Sequence, residues 1–186
     1  MKSIKRLLPY AYGGILGLFL TSPLWGVVAI AVYAEAPQVE GFMDDDVLFS
    51  PGGGCTERII KEFDDAEESI DYQMYVLTSE PIAHALIRAH DRGIEVRVLL
   101  DAKAAKSIHS QSHLIKQKGL NLRLDKRHAI AHNKVRIIDD ETVLGGSFND
   151  SDAAEKRNAE NLTILTNQSV VRKFIRNFNE HWGRNR

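Results

Sequence analysis

From Val47 onward, short runs of β-branched and aromatic residues alternate with longer segments of helical periodicity. The pattern predicts strands at 47–50, 69–77, 95–100, 121–124, 134–138, 142–144 and 161–166. It predicts helices at 56–66, 79–92, 103–118 and 168–182. This alternation indicates an α/β domain with a mixed β-sheet flanked by helices. The 186 residues suffice for one such domain but not for two full domains.

The N-terminal 34 residues have a different composition. An apolar run over 7–34 follows a start that holds three cations and no acid: Lys2, Lys5 and Arg6. This pattern is typical of a secretory signal peptide cleaved near Ala34, and the length of the run also allows an uncleaved membrane anchor. We therefore expect an exported domain, either periplasmic or secreted, or anchored in the inner membrane and held outside the cytoplasm.

Residues 35–46 are acidic and contain a proline and a glycine, so we interpret them as a linker before a domain that covers 47–186. The formal net charge of the whole chain is -1, which by itself argues against a polyanionic partner. The charge is unevenly distributed, however. Residues 35–120 carry 9 cations and 16 acids, whereas 121–186 carry 12 cations and 9 acids. The C-terminal part can therefore still bind a phosphate-containing partner.

The C-terminal part also contains a compact group of reactive residues. The sequence reads H-x-K-x4-D from His132 through Lys134 to Asp139, and after six residues it continues as G-S-x-N with Ser147 and Asn149. Glu160 follows. In a strand, His132 and Lys134 point to the same face, which presents an imidazole and an ammonium together. The glycines before Ser147 allow a ligand to approach the backbone closely.

This motif resembles H-x-K-x4-D-x6-G-S-x-N of the phospholipase D superfamily, and most closely its small single-motif bacterial endonucleases. The resemblance covers about 47–183 and includes the segments 70–81, 93–101, 154–161 and 180–182. It implies a phosphodiesterase that forms a covalent phosphohistidine at His132. Because lysines and amides supply the electrostatic stabilisation, we expect no metal and no other cofactor.

The same chemistry needs a second histidine that protonates the leaving alkoxide. The chain has one motif and no internal repeat, so we predict a homodimer in which two copies of His132 face each other across a two-fold axis. Both copies of Lys134 and the Asn149 amide would then hold the non-bridging phosphate oxygens, with a supporting hydrogen bond from Ser147. The resemblance implies that Glu160 accepts a hydrogen bond from the other nitrogen of His132.

The role of Asp139 stays open between shaping the turn after its strand and pairing with a neighbouring cation. His128, four residues before His132, could line the phosphate cleft. His109 and His113 fall at i, i+4 on the predicted helix 103–118, but no carboxylate or thiolate lies at ligand spacing, so we favour a solvated helix face over a metal site.

Six further positions are two arginines, a cysteine and three aromatic residues. Arg97 and Arg136 lie on predicted strands, and the sequence does not choose between cleft cations and paired charges. The single cysteine, Cys55, excludes an intramolecular disulfide and is predicted to be buried and inert. The aromatic residues of the last helix are predicted to form core or dimer contacts: Phe174, Phe178 and Trp182.

We weigh three functions. The first is a metal-independent, non-specific endonuclease that cleaves DNA, with RNA as a further substrate. The alternative enzyme is a phospholipase D such as a cardiolipin hydrolase, since the same chemistry accepts phospholipid diesters and residues 7–34 could hold the domain at a membrane. The third is a non-catalytic phosphate-binding or DNA-binding module, against which the intact set of His132, Lys134, Asn149 and Glu160 argues.

Overall fold

The structure is a computed structural model, and it describes residues 45–185. The leader predicted for 1–34 and most of the predicted linker lie outside these residues. The strands are β1 (Asp46–Ser50), β2 (Ser69–Met74), β3 (Glu95–Asp101), β4 (Asn121–Asp125), β5 (Lys134–Ile138), β6 (Thr142–Gly146) and β7 (Glu160–Leu165). The helices are α1 (Cys55–Asp65), α2 (Glu80–Asp91), α3 (Ser112–Gln117), α4 (Asp152–Lys156) and α5 (Gln168–Arg184).

All seven strands belong to one mixed sheet with the order β1-β7-β6-β5-β2-β3-β4. Strands β2, β3 and β4 run parallel, whereas β5, β6, β7 and β1 pair antiparallel. The fold class predicted from the sequence is therefore confirmed. Because β5 runs antiparallel to β2, with Lys134 opposite Met74, the start of β5 lies at the carboxyl-terminal edge of the parallel strands.

The two faces of the sheet carry separate apolar clusters, as expected from the alternation of side chains along each strand. The larger cluster packs under α1, α2 and α3. The second forms under α5 and includes Phe178 and Trp182, with Phe174 packed against it. Phe178 and Trp182 are thus core residues, whereas Phe174 is half-buried against this cluster. No helix within residues 45–185 has the length and apolar character needed to cross a membrane.

The predicted helix over 103–118 is wrong. A single 3-10 turn at Ala104–Lys106 is followed by a loop, and α3 begins only at Ser112. The loop is rich in serine, and the hydroxyl oxygens of Ser107 and Ser110 each accept a hydrogen bond from the backbone N–H two residues later. Such local bonds compete with helix formation. His109 therefore lies in the loop and does not share a helix face with His113.

Smaller differences occur at element boundaries. Strand β2 ends at Met74, and one further backbone hydrogen bond, from the Tyr75 N–H to the Asn133 carbonyl oxygen at 3.0 Å, continues its pairing with the segment before β5. The short helix α4 has no counterpart in the prediction. Strand β1 starts at Asp46, and the Asp45 carboxylate accepts a hydrogen bond from the Thr166 backbone, so the end of the predicted linker belongs to the domain.

Arg136 on β5 is fully buried and forms an ion pair with the equally buried Asp150. The Tyr72 hydroxyl donates to the same carboxylate at 2.6 Å. Arg97 is also a paired charge, since it binds the Asp71 carboxylate at 2.6 Å through Nε. Neither arginine is a cleft cation.

Replacing Asp150 by alanine is expected to lower the free energy of unfolding by about 3–5 kcal/mol, because the charge of Arg136 would remain buried without a partner. Urea unfolding followed by circular dichroism measures this change. The matched control is Asp152→Ala, which breaks a solvent-exposed pair with Lys156 and should have little effect. Equal losses in the two variants would contradict the prediction.

Candidate active site

A cleft of about 610 Å³ opens at the carboxyl-terminal edge of the parallel strands. It is lined by His132, Lys134, Gly146, Ser147, Asn149, Glu160 and Asn161. The structure therefore brings together five of the six residues that the sequence predicted as a site. They come from the segment before β5, from β5 itself, from the loop after β6 and from the start of β7. Asp139 is the exception.

His132 precedes the first residue of β5 and is solvent-exposed, while Lys134 is buried at its side. The Lys134 ammonium donates to the His132 carbonyl oxygen at 2.8 Å and lies 3.0 Å from Nδ1 of the same residue. The Tyr75 ring packs against the imidazole with a centroid separation of 4.7 Å. The predicted pairing of imidazole and ammonium is thus present, with His132 placed by a loop and not by a strand.

Burial lowers the pKa of the Lys134 ammonium, and the negative charge of Glu160 acts in the opposite direction. The ammonium therefore has a carboxylate nearby without a salt bridge to it among the described residues. A buried cation of this kind is partly dehydrated and interacts strongly with an incoming anion. The cleft therefore presents an exposed imidazole beside a buried positive charge.

Glu160 lines the cleft, but the structure does not show the hydrogen bond to His132 that the resemblance implied. Its Oε1 accepts a hydrogen bond from the Asn158 amide at 3.0 Å. Within residues 45–185, the neighbour of His132 Nδ1 is the Lys134 ammonium. An ammonium has no acceptor site, so Nδ1 is the acceptor in this arrangement of the single chain.

The loop after β6 contributes hydroxyl and amide groups. Ser147 Oγ accepts a hydrogen bond from the Asn161 backbone N–H at 3.1 Å, which leaves its own hydroxyl hydrogen free to donate. Asn149 Oδ1 is buried and has no hydrogen-bond partner among the described residues. Both side chains line the cleft, where they can donate to the oxygens of a bound phosphate.

Gly146 is required by the close contact between this loop and β7. Its φ is 131°, and a Cβ atom there would lie 2.4 Å from Asn161 Oδ1 and 2.5 Å from the Asn161 carbonyl oxygen. Gly146→Ala is therefore expected to lower the free energy of unfolding by more than about 2 kcal/mol and to displace Ser147. Thermal unfolding and turnover, compared with the unobstructed Gly183→Ala, measure both effects. A Gly146→Ala variant with wild-type stability would refute this explanation.

The segment before His132 is fixed by carboxylates at the ends of two parallel strands. Asp101, the last residue of β3, accepts hydrogen bonds from three backbone N–H groups, including Ala131 at 2.9 Å. Asp125, the last residue of β4, binds the backbone N–H groups of Arg127 and His128. Burial alone would raise the pKa of each carboxyl, but hydrogen bonds outweigh burial and lower both pKa values. For Asp101 they come from backbone N–H groups, and for Asp125 the strongest comes from the His128 side chain.

Sequence reasoning did not identify Asp101 and Asp125 as functional. The available signal was an aspartate directly after each of two neighbouring apolar strands.

His128 does not line the cleft. Its Nδ1 contacts the Asp125 carboxylate at 2.8 Å, and its ring packs 4.9 Å from that of His181.

Asp139 lies at the far end of β5 from Lys134. Its carboxylate accepts hydrogen bonds from the backbone N–H groups of Glu67, Glu68 and Ser69 at 3.0, 2.7 and 2.8 Å. Its φ of 52° begins the tight turn into β6. Of the two predicted roles, the structure therefore shows that Asp139 shapes the turn, which it also ties to the start of β2.

The remaining predictions concern a thiol and metal ligands. Cys55 is buried, and burial raises the pKa of its thiol to about 11. It is therefore protonated at neutral pH, as expected for an inert thiol.

Residues 45–185 contain no group of three or more histidine, cysteine, aspartate or glutamate side chains that could hold a metal ion.

Comparisons with known proteins agree on the type of domain. Residues 59–182 match the family model described as "Cardiolipin synthase, PLD-like domain". The chain is 35% identical over 187 residues to the phospholipase D of Rickettsia felis, across 95% of this chain and 94% of that protein. It is 30% identical to the mitochondrial cardiolipin hydrolase of Chlamydomonas reinhardtii, over 67% of this chain and 56% of that protein.

The fold also matches a solved structure, that of the phospholipase D family member Nuc from Salmonella typhimurium. The two superpose with a TM-score of 0.72 at 32% sequence identity. The match covers 77% of this chain and 96% of Nuc.

Proposed function

The chain belongs to the phospholipase D superfamily and is a phosphodiesterase of that superfamily, and from this premise we propose that it is a metal-independent endonuclease of low sequence specificity. Its substrate in this proposal is DNA, with RNA as a further substrate. The proposal includes a phosphohistidine intermediate and a homodimer that forms one active site from two chains.

The composition of the cleft favours a nucleic acid over a phospholipid as the substrate. Every residue that lines it is polar or a glycine: His132, Lys134, Gly146, Ser147, Asn149, Glu160 and Asn161. Acyl chains gain binding energy by burying apolar surface, whereas a sugar-phosphate strand presents hydroxyl and phosphate groups. A polar cleft with an ammonium and two side chains able to donate hydrogen bonds suits the second kind of ligand better.

In the proposed mechanism, an imidazole nitrogen of His132 attacks phosphorus. A P–N bond forms, the P–O bond to the leaving group breaks, and the departing alkoxide takes a proton from the second histidine. That histidine then removes a proton from water, which attacks the phosphohistidine and regenerates the imidazole. The Lys134 ammonium and the Asn149 amide hold the non-bridging oxygens, where negative charge develops.

The proposed homodimer follows from what the single chain lacks. Among residues 45–185, His132 is the only histidine that lines the cleft, and the mechanism needs a nucleophile and an acid on opposite sides of phosphorus. A two-fold axis through the cleft would supply the second imidazole and a second Lys134.

The function is tested by incubating the purified protein with plasmid DNA, RNA and phospholipid vesicles in excess EDTA. We expect cleavage of nucleic acid that His132→Ala abolishes. A protein that leaves both nucleic acids intact, but hydrolyses a small diester such as bis(p-nitrophenyl) phosphate, would refute the endonuclease proposal while leaving the phosphodiesterase chemistry in place.

Mixing wild-type and His132→Ala chains tests the homodimer. If one active site needs both copies of His132, only wild-type dimers are active, and an equal mixture that exchanges subunits should retain about one quarter of the wild-type activity. The measurement is initial rate against the fraction of wild-type chains at constant total protein. A linear dependence, with half the activity in an equal mixture, would show that one histidine per site is enough.

A phospholipase D activity is the second candidate, and two observations favour it. Two of the relatives described above are named phospholipase D and cardiolipin hydrolase. In addition, Ile130 lies two residues before His132 and is 56% exposed. An exposed isoleucine beside a cleft can enter a lipid surface. Release of phosphatidic acid from vesicles, in the absence of nuclease activity, would favour this candidate.

We also propose that residues 1–34 export the domain to the periplasm or hold it at the inner membrane, on the basis of their basic start and apolar run. Fusing these residues to alkaline phosphatase, which is active only outside the bacterial cytoplasm, tests the proposal. An inactive fusion would refute export.

A further inference from the structure

A second cleft, about 440 Å³ in volume, lies where the edge strand β4 meets the C-terminal end of α5. It is lined by Leu122, Arg123, Leu124, Lys126, Arg127, Arg184 and Asn185, which include four cations and no carboxylate. We propose that this cationic cleft binds backbone phosphates of the nucleic-acid strand on one side of the bond that is cut. The inference rests on the proposed function, because it concerns the same substrate strand.

Two of the guanidinium groups are held in place before any ligand binds. Arg127 donates through Nε to the Arg184 carbonyl oxygen at 2.6 Å. Arg123 donates through Nη1 to the Trp182 carbonyl oxygen at 2.6 Å, and its Cζ lies 4.0 Å from the centre of a Trp182 ring. A guanidinium has five N–H donors, so each keeps donors for a phosphate. Because these side chains are already ordered, they lose less entropy on binding.

The charge of the cationic cleft is poorly compensated. Arg123, Lys126 and Arg127 form no salt bridge among the described residues, and Arg184 pairs with Glu180 at the rim. The nearest acid in the sequence, Asp125, is buried and binds backbone N–H groups and His128. By contrast, Lys61 and Lys156 elsewhere on the surface each pair with a carboxylate on their own helix. The cationic cleft therefore retains a net positive charge for anions.

The cleft is connected to the active site by a short and fixed segment. Arg127 precedes His132 by five residues, which span at most about 17 Å in extended form. One strand of a duplex advances about 3.4 Å per phosphate, so a strand held at His132 reaches the cationic cleft within about five phosphates. Asp101 and Asp125 hold the connecting segment by hydrogen bonds, which keeps the two sites in register.

The test compares Lys126→Ala/Arg127→Ala with the control Lys61→Ala/Lys156→Ala, both in a His132→Ala background that prevents cleavage. Each pair of substitutions removes two positive charges. We measure the affinity for a short DNA duplex over a range of salt concentrations. Loss of two phosphate contacts should reduce the slope of log K against log salt by about 2, whereas the control should keep the wild-type slope. An unchanged slope in Lys126→Ala/Arg127→Ala would overturn the proposal.

Two further measurements keep the outcome clear. If the double variant does not fold, as judged by circular dichroism, Lys126→Glu alone alters one exposed side chain and should still weaken duplex binding. If binding to phosphatidylglycerol vesicles falls while duplex binding is unchanged, the cationic cleft serves a membrane and the proposal is wrong. A different result would refute the proposed endonuclease function itself. In that case the wild-type protein would hydrolyse bis(p-nitrophenyl) phosphate but not DNA.

Discussion

Replacing His132 by alanine is expected to reduce phosphodiester cleavage by at least about 10⁴-fold without unfolding the protein. The proposed reaction passes through a bond between phosphorus and this imidazole, and in the dimer the substitution removes both the nucleophile and the acid. His132 is solvent-exposed and lies outside the sheet, so its loss should leave the core intact. Steady-state cleavage of a small diester and of plasmid DNA in EDTA measures the effect.

The matched control is His109→Ala. His109 is also solvent-exposed, but it lies in the loop before α3 and does not line the cleft. Its replacement should leave the rate unchanged. A His132→Ala variant that retains more than about one tenth of wild-type turnover would remove the histidine from its proposed role, whichever substrate is used.

The second large effect is expected for Lys134→Met. Loss of one preorganised donor to a transition-state oxyanion costs about 10²–10³ in kcat, and the proposed site loses two because both chains contribute Lys134. We therefore expect kcat to fall by about 10³-fold or more, with a smaller change in KM. Methionine preserves much of the length of the buried side chain, so the comparison isolates the charge.

Lys106→Met is the matched control, because Lys106 is an exposed lysine outside the active-site cleft.

The pH dependence of the cleavage rate adds a second measurement for Lys134. Burial lowers the pKa of Lys134, so its positive charge is lost at a lower pH than that of an ordinary lysine. Wild-type activity should therefore decline on the alkaline side before surface lysines titrate. A Lys134→Met enzyme with wild-type kcat would mean that the phosphate charge is held elsewhere.

The cleft residues could be predicted from the sequence because they lie on a compact meander. Two adjacent antiparallel strands, β5 and β6, carry or flank His132, Lys134, Ser147 and Asn149, and the next strand begins with Glu160. Residues that are close in the sequence are therefore also close in the fold. The individual strands were predictable for a similar reason, since each contains a short apolar run, but the end of β2 and the order of the strands were not.

Other features depend on contacts between distant segments and could not be predicted. Arg136 forms a buried ion pair because the fold places Asp150 beside it. Asp150 follows β6 in the sequence, so the pair depends on how β5 and β6 are arranged. The helix predicted over 103–118 fails because serine hydroxyl groups bind the backbone locally, which apolar periodicity does not register. The roles of Asp101 and Asp125 depend on sheet order, which places the ends of β3, β4 and β2 beside the segment that leads into β5.

The hydrogen bonds that the Asp101 and Asp125 carboxylates accept have a consequence for the proposed catalysis. They fix the backbone of the segment that leads to His132 before any ligand binds, so the backbone of the proposed nucleophile loses little freedom when a phosphodiester binds. Much of the entropic cost of alignment is thus met during folding and is absent from the activation barrier. In the proposed mechanism, the rate would therefore depend on the register of β3 and β4 as well as on the basicity of the imidazole.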